Sequence, residues 1–251
     1  MPANFEGKVA LVTGGANGLG RATCQALATA GARVVVADID EAAGRELAAS
    51  LDGDFVPCDV SRLEHSLAAV QTALDLHGSL DLLHLNAGIV GGCGVGEDFD
   101  PERYRRIVAV NLDAVVFGTH AALPALIQSR GAIVATASLA GLTPVAADPF
   151  YTATKHAVVG LTRSLGPALA PHGVRFNAVC PSFADTDLIT GFRAALEAEG
   201  IAILAADTVA EAVLEVFGAE GTGECWFVQY GRPAEPFAFR GVPGARGRAR
   251  S

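Results

Sequence analysis

Short, unbroken apolar runs of strand length recur along this chain and alternate with longer amphipathic stretches, and that alternation limits the fold more than any other feature. The runs are KVALVT (8–13), RVVVAD (33–38), DFVPCD (54–59), LDLLHLNAG (80–88), GAIVATAS (131–138), GVRFNAVC (173–180) and ECWFVQ (224–229). The spacing between them predicts helices over 18–30 and 41–50, one long helix near 102–129, and another from 149 to 169. Continuous Val, Ile and Leu, rather than apolar–polar alternation, means strands covered on both faces, as in a parallel sheet between helical layers. The expectation is an α/β fold: a doubly wound parallel sheet of about seven strands with helices on both faces. No linker precedes residue 239, so 1–238 reads as a single domain and the Gly/Arg-rich stretch 239–251 as a flexible C-terminal tail.

Helix punctuation agrees. Asp148 before Pro149 has the form of an N-cap followed by proline at the first helical position. TVAE (208–211) matches a capping box and is expected to start a further helix.

The bulk numbers exclude several classes. The chain has 251 residues and a formal net charge of −9, with no Lys/Arg run before its tail. Neither nucleic acid nor anionic membrane is an expected partner. Its five cysteines are scattered, with no C-x-x-C, so free thiols are expected rather than a disulfide framework or any metal site. MPANFEGKVALVTGG lacks the charged start and long apolar core of a signal peptide, and no segment is expected to reach the roughly 20 apolar residues of a membrane span. A cytoplasmic location is expected.

Function begins with TGGANGLG (13–20), which follows the first strand and opens the first helix. Gly14, Gly18 and Gly20 permit a tight turn, close backbone approach to a pyrophosphate and packing of helix on strand. The helix N-terminus then offers free N–H groups and the positive end of its dipole to phosphate. Asp38 ends the second strand, where a carboxylate accepts hydrogen bonds from adenosine ribose hydroxyls and repels a 2′-phosphate. Gly15, Ala16 and Ile39 offer no basic clamp, so NAD is expected over NADP. Tyr151 and Lys155, at i and i+4, share one helix face. Alone such a pair is ordinarily a solvated edge, and it becomes chemical only beside a cofactor and a substrate anchor.

With TGGANGLG, Asp59-Val60, NAG (86–88), Asn111, Ser138 and Tyr151-x-x-x-Lys155 in this order, the chain resembles the single-domain branch of the short-chain dehydrogenase/reductases from about residue 6 to 190. The resemblance implies a Rossmann-type NAD-binding catalytic domain with Asn17 and Leu19 joining the glycines at the cofactor. Asp59 and Val60 would border the adenine, and Asn86, Ala87 and Gly88 the ribose and pyrophosphate. PSFADT (181–186) would close over the nicotinamide end, with Pro181, Ala184 and Thr186 in contact; Ser182 stands where the family usually has glycine. Tyr151 would be the general acid/base, Lys155 would also hold the nicotinamide ribose, Ser138 would bind the substrate oxygen, and Asn111 would position a water for proton transfer. A free phenol titrates near ~10, and a nearby ammonium is expected to lower that value. Dimers or tetramers paired through the long helices near 102–129 and 149–169 are also implied. A positional check supports the likeness: Gly14, Asp38, Asp59, Asn86, Ser138 and Pro181 each fall just past a different expected strand, on the edge where open α/β sheets bind ligands.

Leu139, Val145, Phe150, Phe183, Leu188, Ile189 and Phe192 are candidate pocket residues, nearly all apolar, so the expected substrate is a small hydrophobic secondary alcohol or ketone such as a steroid, a terpenoid or a fatty-acid derivative. Asp148 is open between capping the helix and touching a substrate hydroxyl. Cys180 reads as a core residue, and His156 as rotated off the catalytic face. Two rival classes are an NAD-sensing binding protein without turnover and a nucleotide-sugar epimerase or dehydratase. The presence of Asn111, Ser138, Tyr151 and Lys155 together argues against the first. The glycine spacing and the lack of an added substrate domain argue against the second.

Overall fold

The computed structural model describes residues 4–241. Seven parallel strands, β1 (Val9–Thr13), β2 (Arg33–Asp38), β3 (Asp54–Pro57), β4 (Leu82–Leu85), β5 (Ala132–Thr136), β6 (Arg175–Pro181) and β7 (Cys225–Val228), lie in one sheet. A short antiparallel edge strand, β8 (Glu235–Pro236), completes the order β3-β2-β1-β4-β5-β6-β7-β8. This eighth strand was invisible to apolar patterning because a Glu-Pro dipeptide carries no apolar run. The order reverses between β1 and β4, so their carboxyl ends flank the crevice in which such sheets bind ligands.

The helices are α1 (Gly18–Thr29), α2 (Glu41–Ser50), α3 (Leu63–His77), α4 (Pro101–Val108), α5 (Ala114–Ser129), α6 (Pro149–Leu169), α7 (Arg193–Ala198) and α8 (Ala206–Gly218). Successive strand residues face opposite layers. Leu11, Leu83 and Ile133 pack with α3, α5 and α6, whereas Val12, Val34 and Val134 pack with α1, α2 and α8. Strands buried on both faces are why the sequence shows solid apolar runs.

Side chains set several helix starts. Asp100 accepts from the Glu102 and Arg103 N–H groups ahead of Pro101, and Asp148 accepts from Tyr151 N–H ahead of Pro149. The expected capping box is corrected: α8 begins at Ala206, two residues ahead of Thr208, and no side chain caps it. The long helix is also corrected. A π turn (Ala109–Asp113) containing Asn111 separates α4 from α5. Taken end to end, Pro101–Ser129 spans 29 residues and meets the length and composition of a membrane span, contrary to the expectation that no segment would. Its buried residues pack on α3, β4 and β5.

Phe239, placed in the expected tail, packs against the core with the Arg163 guanidinium 3.9 Å from its ring centre. Residues 242–251 of that tail lie outside the described residues.

Candidate active site

The turn after β1 is shaped by positive φ angles, +60° at Gly14 and +51° at Gly18, a region that glycine enters without strain. A Cβ on Gly14 would sit 2.8 Å from Ala87 Cα, and one on Gly20 would sit 2.0 Å from the Gly14 carbonyl oxygen. On Gly18 it would meet Thr186 Cγ2 at 3.0 Å. Two segments distant in sequence, at Ala87 and Thr186, therefore close on one loop, and side chains at these glycines would fill it. No side chain caps α1 at Asn17, whose amide reaches Asp40 at 3.4 Å instead. The N-terminal N–H groups and dipole of α1 are thus left for an anion, which fits the pyrophosphate of a dinucleotide. Leu19 packs against the core beneath the loop.

Asp38 is held at the end of β2 by N–H groups of Ala16 (2.9 Å) and Asp40 (3.0 Å), one on each carboxylate oxygen. Both oxygens keep acceptor capacity. Cys58 N–H donates to the Asp38 carbonyl, which brings Asp59 alongside. Asp59 accepts from the Ser61 hydroxyl (2.7 Å) and N–H (3.0 Å), and the hydroxyl bond chiefly holds its carboxyl below the usual range. Val60 is buried in the core.

Across the crevice, Asn86 donates to the carbonyls of Thr13 and Gly14, so the NAG segment is tied to the phosphate loop. A Cβ on Gly88 would lie 3.4 Å from Lys155 Nζ and 3.5 Å from Asn111 Oδ1. Asn111 is buried; it accepts from Ile89 N–H at 2.8 Å and donates to Ile89 O at 2.9 Å and to Thr154 Oγ1 at 3.2 Å. The π turn thus stitches the segment after β4 to α6.

Ser138 follows β5; its hydroxyl accepts from Ala140 N–H at 3.1 Å. Lys155 is buried, and its Nζ donates to the Thr136 carbonyl at 2.8 Å. Burial pushes the Lys155 ammonium down to about 8. The expected lowering of Tyr151 is not what the chain alone provides. Burial pushes its phenol up, Ser138 opposes that, and the charge of Asp148 adds to the rise. The reason is that Tyr151 loses its water, while the nearest cation is itself desolvated and committed to a carbonyl.

Asp148 resolves into a structural clamp. One oxygen caps α6 at Tyr151 N–H (3.1 Å); the other accepts from Gly91 (2.7 Å) and Gly92 (3.3 Å). Arg103 Nε grips the opposite side of this loop through the Gly91 carbonyl at 2.6 Å. The carboxylate therefore accepts from three backbone N–H groups, which fits the capping role. Arg103, Thr13, Thr136 and Thr154 escaped sequence reasoning because nothing in their spacing marks them. The Gly91-Gly92 pair was a usable signal: a Cβ on Gly91 would stand 2.0 Å from Asp148 Oδ1.

Of the expected pocket residues, Phe183 and Phe192 pair edge-to-face at 6.0 Å on the segment after β6, with Leu188 exposed beside them in sequence and Ile189 buried. Phe150 is instead stacked among Tyr104 and Phe99, with centroids 5.0 and 5.9 Å away. Ala184 and Leu204 bridge the two ends of that segment, and Asp185 pairs with Arg193 of α7. Leu139 and Val145 are half-buried. Cys180 is fully buried and His156 is exposed, its ring bonded to Thr152 O. Among the described residues, no cluster of His, Cys, Asp or Glu could hold a metal ion.

Comparison with known proteins follows the same lines. The family model described as short chain dehydrogenase matches residues 8–197. The chain is 43% identical to the maize sex determination protein tasselseed-2, over 72% of this chain and 56% of that one. It is 38% identical to the mitochondrial borneol dehydrogenase of Lavandula x intermedia, over 84% and 83%. It is also 38% identical to human 15-hydroxyprostaglandin dehydrogenase (NAD(+)), over 74% and 71%. The crystal structure of 3-ketoacyl-(acyl-carrier-protein) reductase from Brucella melitensis complexed with NADH superposes with TM-score 0.85 and 32% identity, covering 91% of this chain and 99% of that one.

Proposed function

This chain belongs to the short-chain dehydrogenase/reductase family, and on that premise we propose that it moves hydride between a hydrophobic secondary alcohol, or its ketone, and NAD. The observation that carries the proposal is the buried Lys155 Nζ, anchored on the Thr136 carbonyl at 2.8 Å and 5.6 Å from the centre of the Tyr151 ring, with Ser138 just past the end of the same strand, β5. When bound, the nicotinamide supplies the hydride acceptor or donor. The chain supplies the rest.

An alcohol oxygen held by Ser138 beside Tyr151 gives up its hydroxyl proton to the phenolate, and takes it back from the phenol in reduction. Both hydroxyls then steady the oxygen as its charge changes. The Lys155 ammonium favours phenolate through space. Its anchor on the Thr136 carbonyl fixes where that charge sits. Asn111 and Asp148 hold the loop after β4 against the catalytic helix, so the substrate side and the base keep one geometry.

Asp38 supports NAD over NADP. Its buried carboxylate stands at the edge of the phosphate loop, and the neighbouring Ile39 offers no positive charge. A 2′-phosphate there would face an unscreened like charge. The Phe183–Phe192 pair, Leu188, Leu139 and Val145 favour an apolar substrate. The test combines purified protein with NAD or NADP and a panel of hydrophobic secondary alcohols, following reduced-cofactor absorbance. Turnover with NAD that vanishes in Tyr151→Phe is expected; NAD binding without turnover across the panel would overturn the reading.

A further inference from the structure

A line of side chains behind the active site has its hydrogen-bond directions fixed by chemistry. Asn86 Nδ2 lies 3.2 Å from the Thr13 carbonyl and 3.0 Å from that of Gly14. Carbonyls only accept, so the amide nitrogen is on that side and Oδ1 on the other. Oδ1 only accepts as well, so the Thr136 hydroxyl, 3.2 Å away, directs its single proton there. Thr136 Oγ1 must then accept from His84 Nε2, at 2.9 Å. It follows that His84 carries its proton on Nε2. Its Nδ1 is a bare lone pair with no hydrogen-bond partner among the described residues, in a ring only 1% exposed.

We propose that His84 is a positioning residue for the cofactor site: a fixed Nε2–H donor that orients Thr136 and Asn86 and thereby holds the Gly14 carbonyl and the phosphate loop in binding geometry. The inference rests on the dinucleotide site proposed above. Packing alone does not call for histidine here. The ring lies edge-on to Phe217 at 6.5 Å, beside Val12 and Val134 across the sheet, and an aliphatic side chain would suit those neighbours better. None of these neighbours is titratable. Burial drives the imidazole down to about 3, so the donor does not switch across the working pH range. The same Thr136 presents its main-chain carbonyl to Lys155 Nζ at 2.8 Å, so the line ends on both the phosphate loop and the catalytic lysine.

The direct test is imidazole 15N NMR of the intact chain without added cofactor. A single Nε2–H tautomer, unchanged between about pH 5.5 and 8.5, is expected; an Nδ1–H tautomer or a titration in that window would overturn the proposal. The second arm measures NAD dissociation constants. His84→Leu is expected to weaken NAD roughly 5–10-fold, and His84→Gln, which keeps a donor, by less than about 2-fold. In a Thr136→Val background, His84→Leu should add nothing. Equal losses in the Leu and Gln variants, or additive losses with Thr136→Val, would overturn it while leaving NAD binding by the unaltered protein intact. Failure of the unaltered protein to bind NAD would overturn this inference together with the reading on which it rests.

Discussion

Lys155 Nζ donates to the Thr136 carbonyl oxygen at 2.8 Å and stands 5.6 Å from the centre of the Tyr151 ring. The lysine therefore acts on the phenol through space, from a point fixed by β5. Tyr151 works as a base only after losing its proton, and burial resists that loss. Removing the cation in Lys155→Met raises the phenol further, so the acid limb of alcohol oxidation is expected to move to higher pH. At neutral pH kcat should fall by roughly 10²–10⁴-fold. A pH profile of kcat/KM checks this, and an unmoved limb would show that the ammonium does not act on the phenol.

Asp148 is expected to produce the opposite shift. Its negative charge pushes Tyr151 up, so Asp148→Asn should lower the phenol and move the same limb to lower pH. Asparagine has a single acceptor oxygen and cannot both cap α6 and hold Gly91. The KM for the alcohol should rise, and stability should drop by about 1 kcal/mol. A profile identical to the parent, with only a lower Tm, would reduce Asp148 to a cap.

Cofactor choice is tested at Asp38. Pairing Asp38→Ser with Ile39→Arg removes the like charge and adds a guanidinium at an exposed position. The ratio of kcat/KM for NADP over NAD is expected to rise by about 10²-fold. If the ratio stays put, the ribose end of the cofactor does not lie against Asp38.

Most of the sheet could be read from sequence because its strands are buried on both faces. β2 and α2 match their expected bounds, and α6 runs to Leu169 as the pattern implied. Where burial was not the signal, reading failed. β8 is a Glu-Pro pair on an edge, and the π turn at Asn111 leaves the apolar pattern of its flanking helices unbroken. The site splits in the same way. Residues proposed to contact a cofactor or substrate had recognisable types at recognisable places, namely Gly14, Asp38, Ser138, Tyr151 and Lys155. Those that hold them, Thr136, Arg103 and His84, are defined by contacts across more than one element, which one-dimensional spacing does not encode.

Acid stability offers a test of His84 separate from the cofactor. Its folded-state value of about 3 lies below the ordinary 6.5, so the unfolded chain binds a proton that the folded chain refuses. The stability contributed by the neutral ring is therefore complete above about pH 6.5 and is lost as pH falls from there toward about 3, at roughly 1.4 kcal/mol per unit. Between pH 7.5 and 5 this amounts to about 2 kcal/mol, or roughly 4–8 °C in Tm. His84→Gln cannot take up that proton, so its Tm should fall less than the parent's over the same interval. The lowered carboxyl of Asp59 does not confuse the comparison, because its ordinary value is 3.8 and its effect begins at lower pH. Parallel Tm curves for the two proteins would mean that the ring gains access to water and a proton in the folded state, and the fixed-donor role would fall with it.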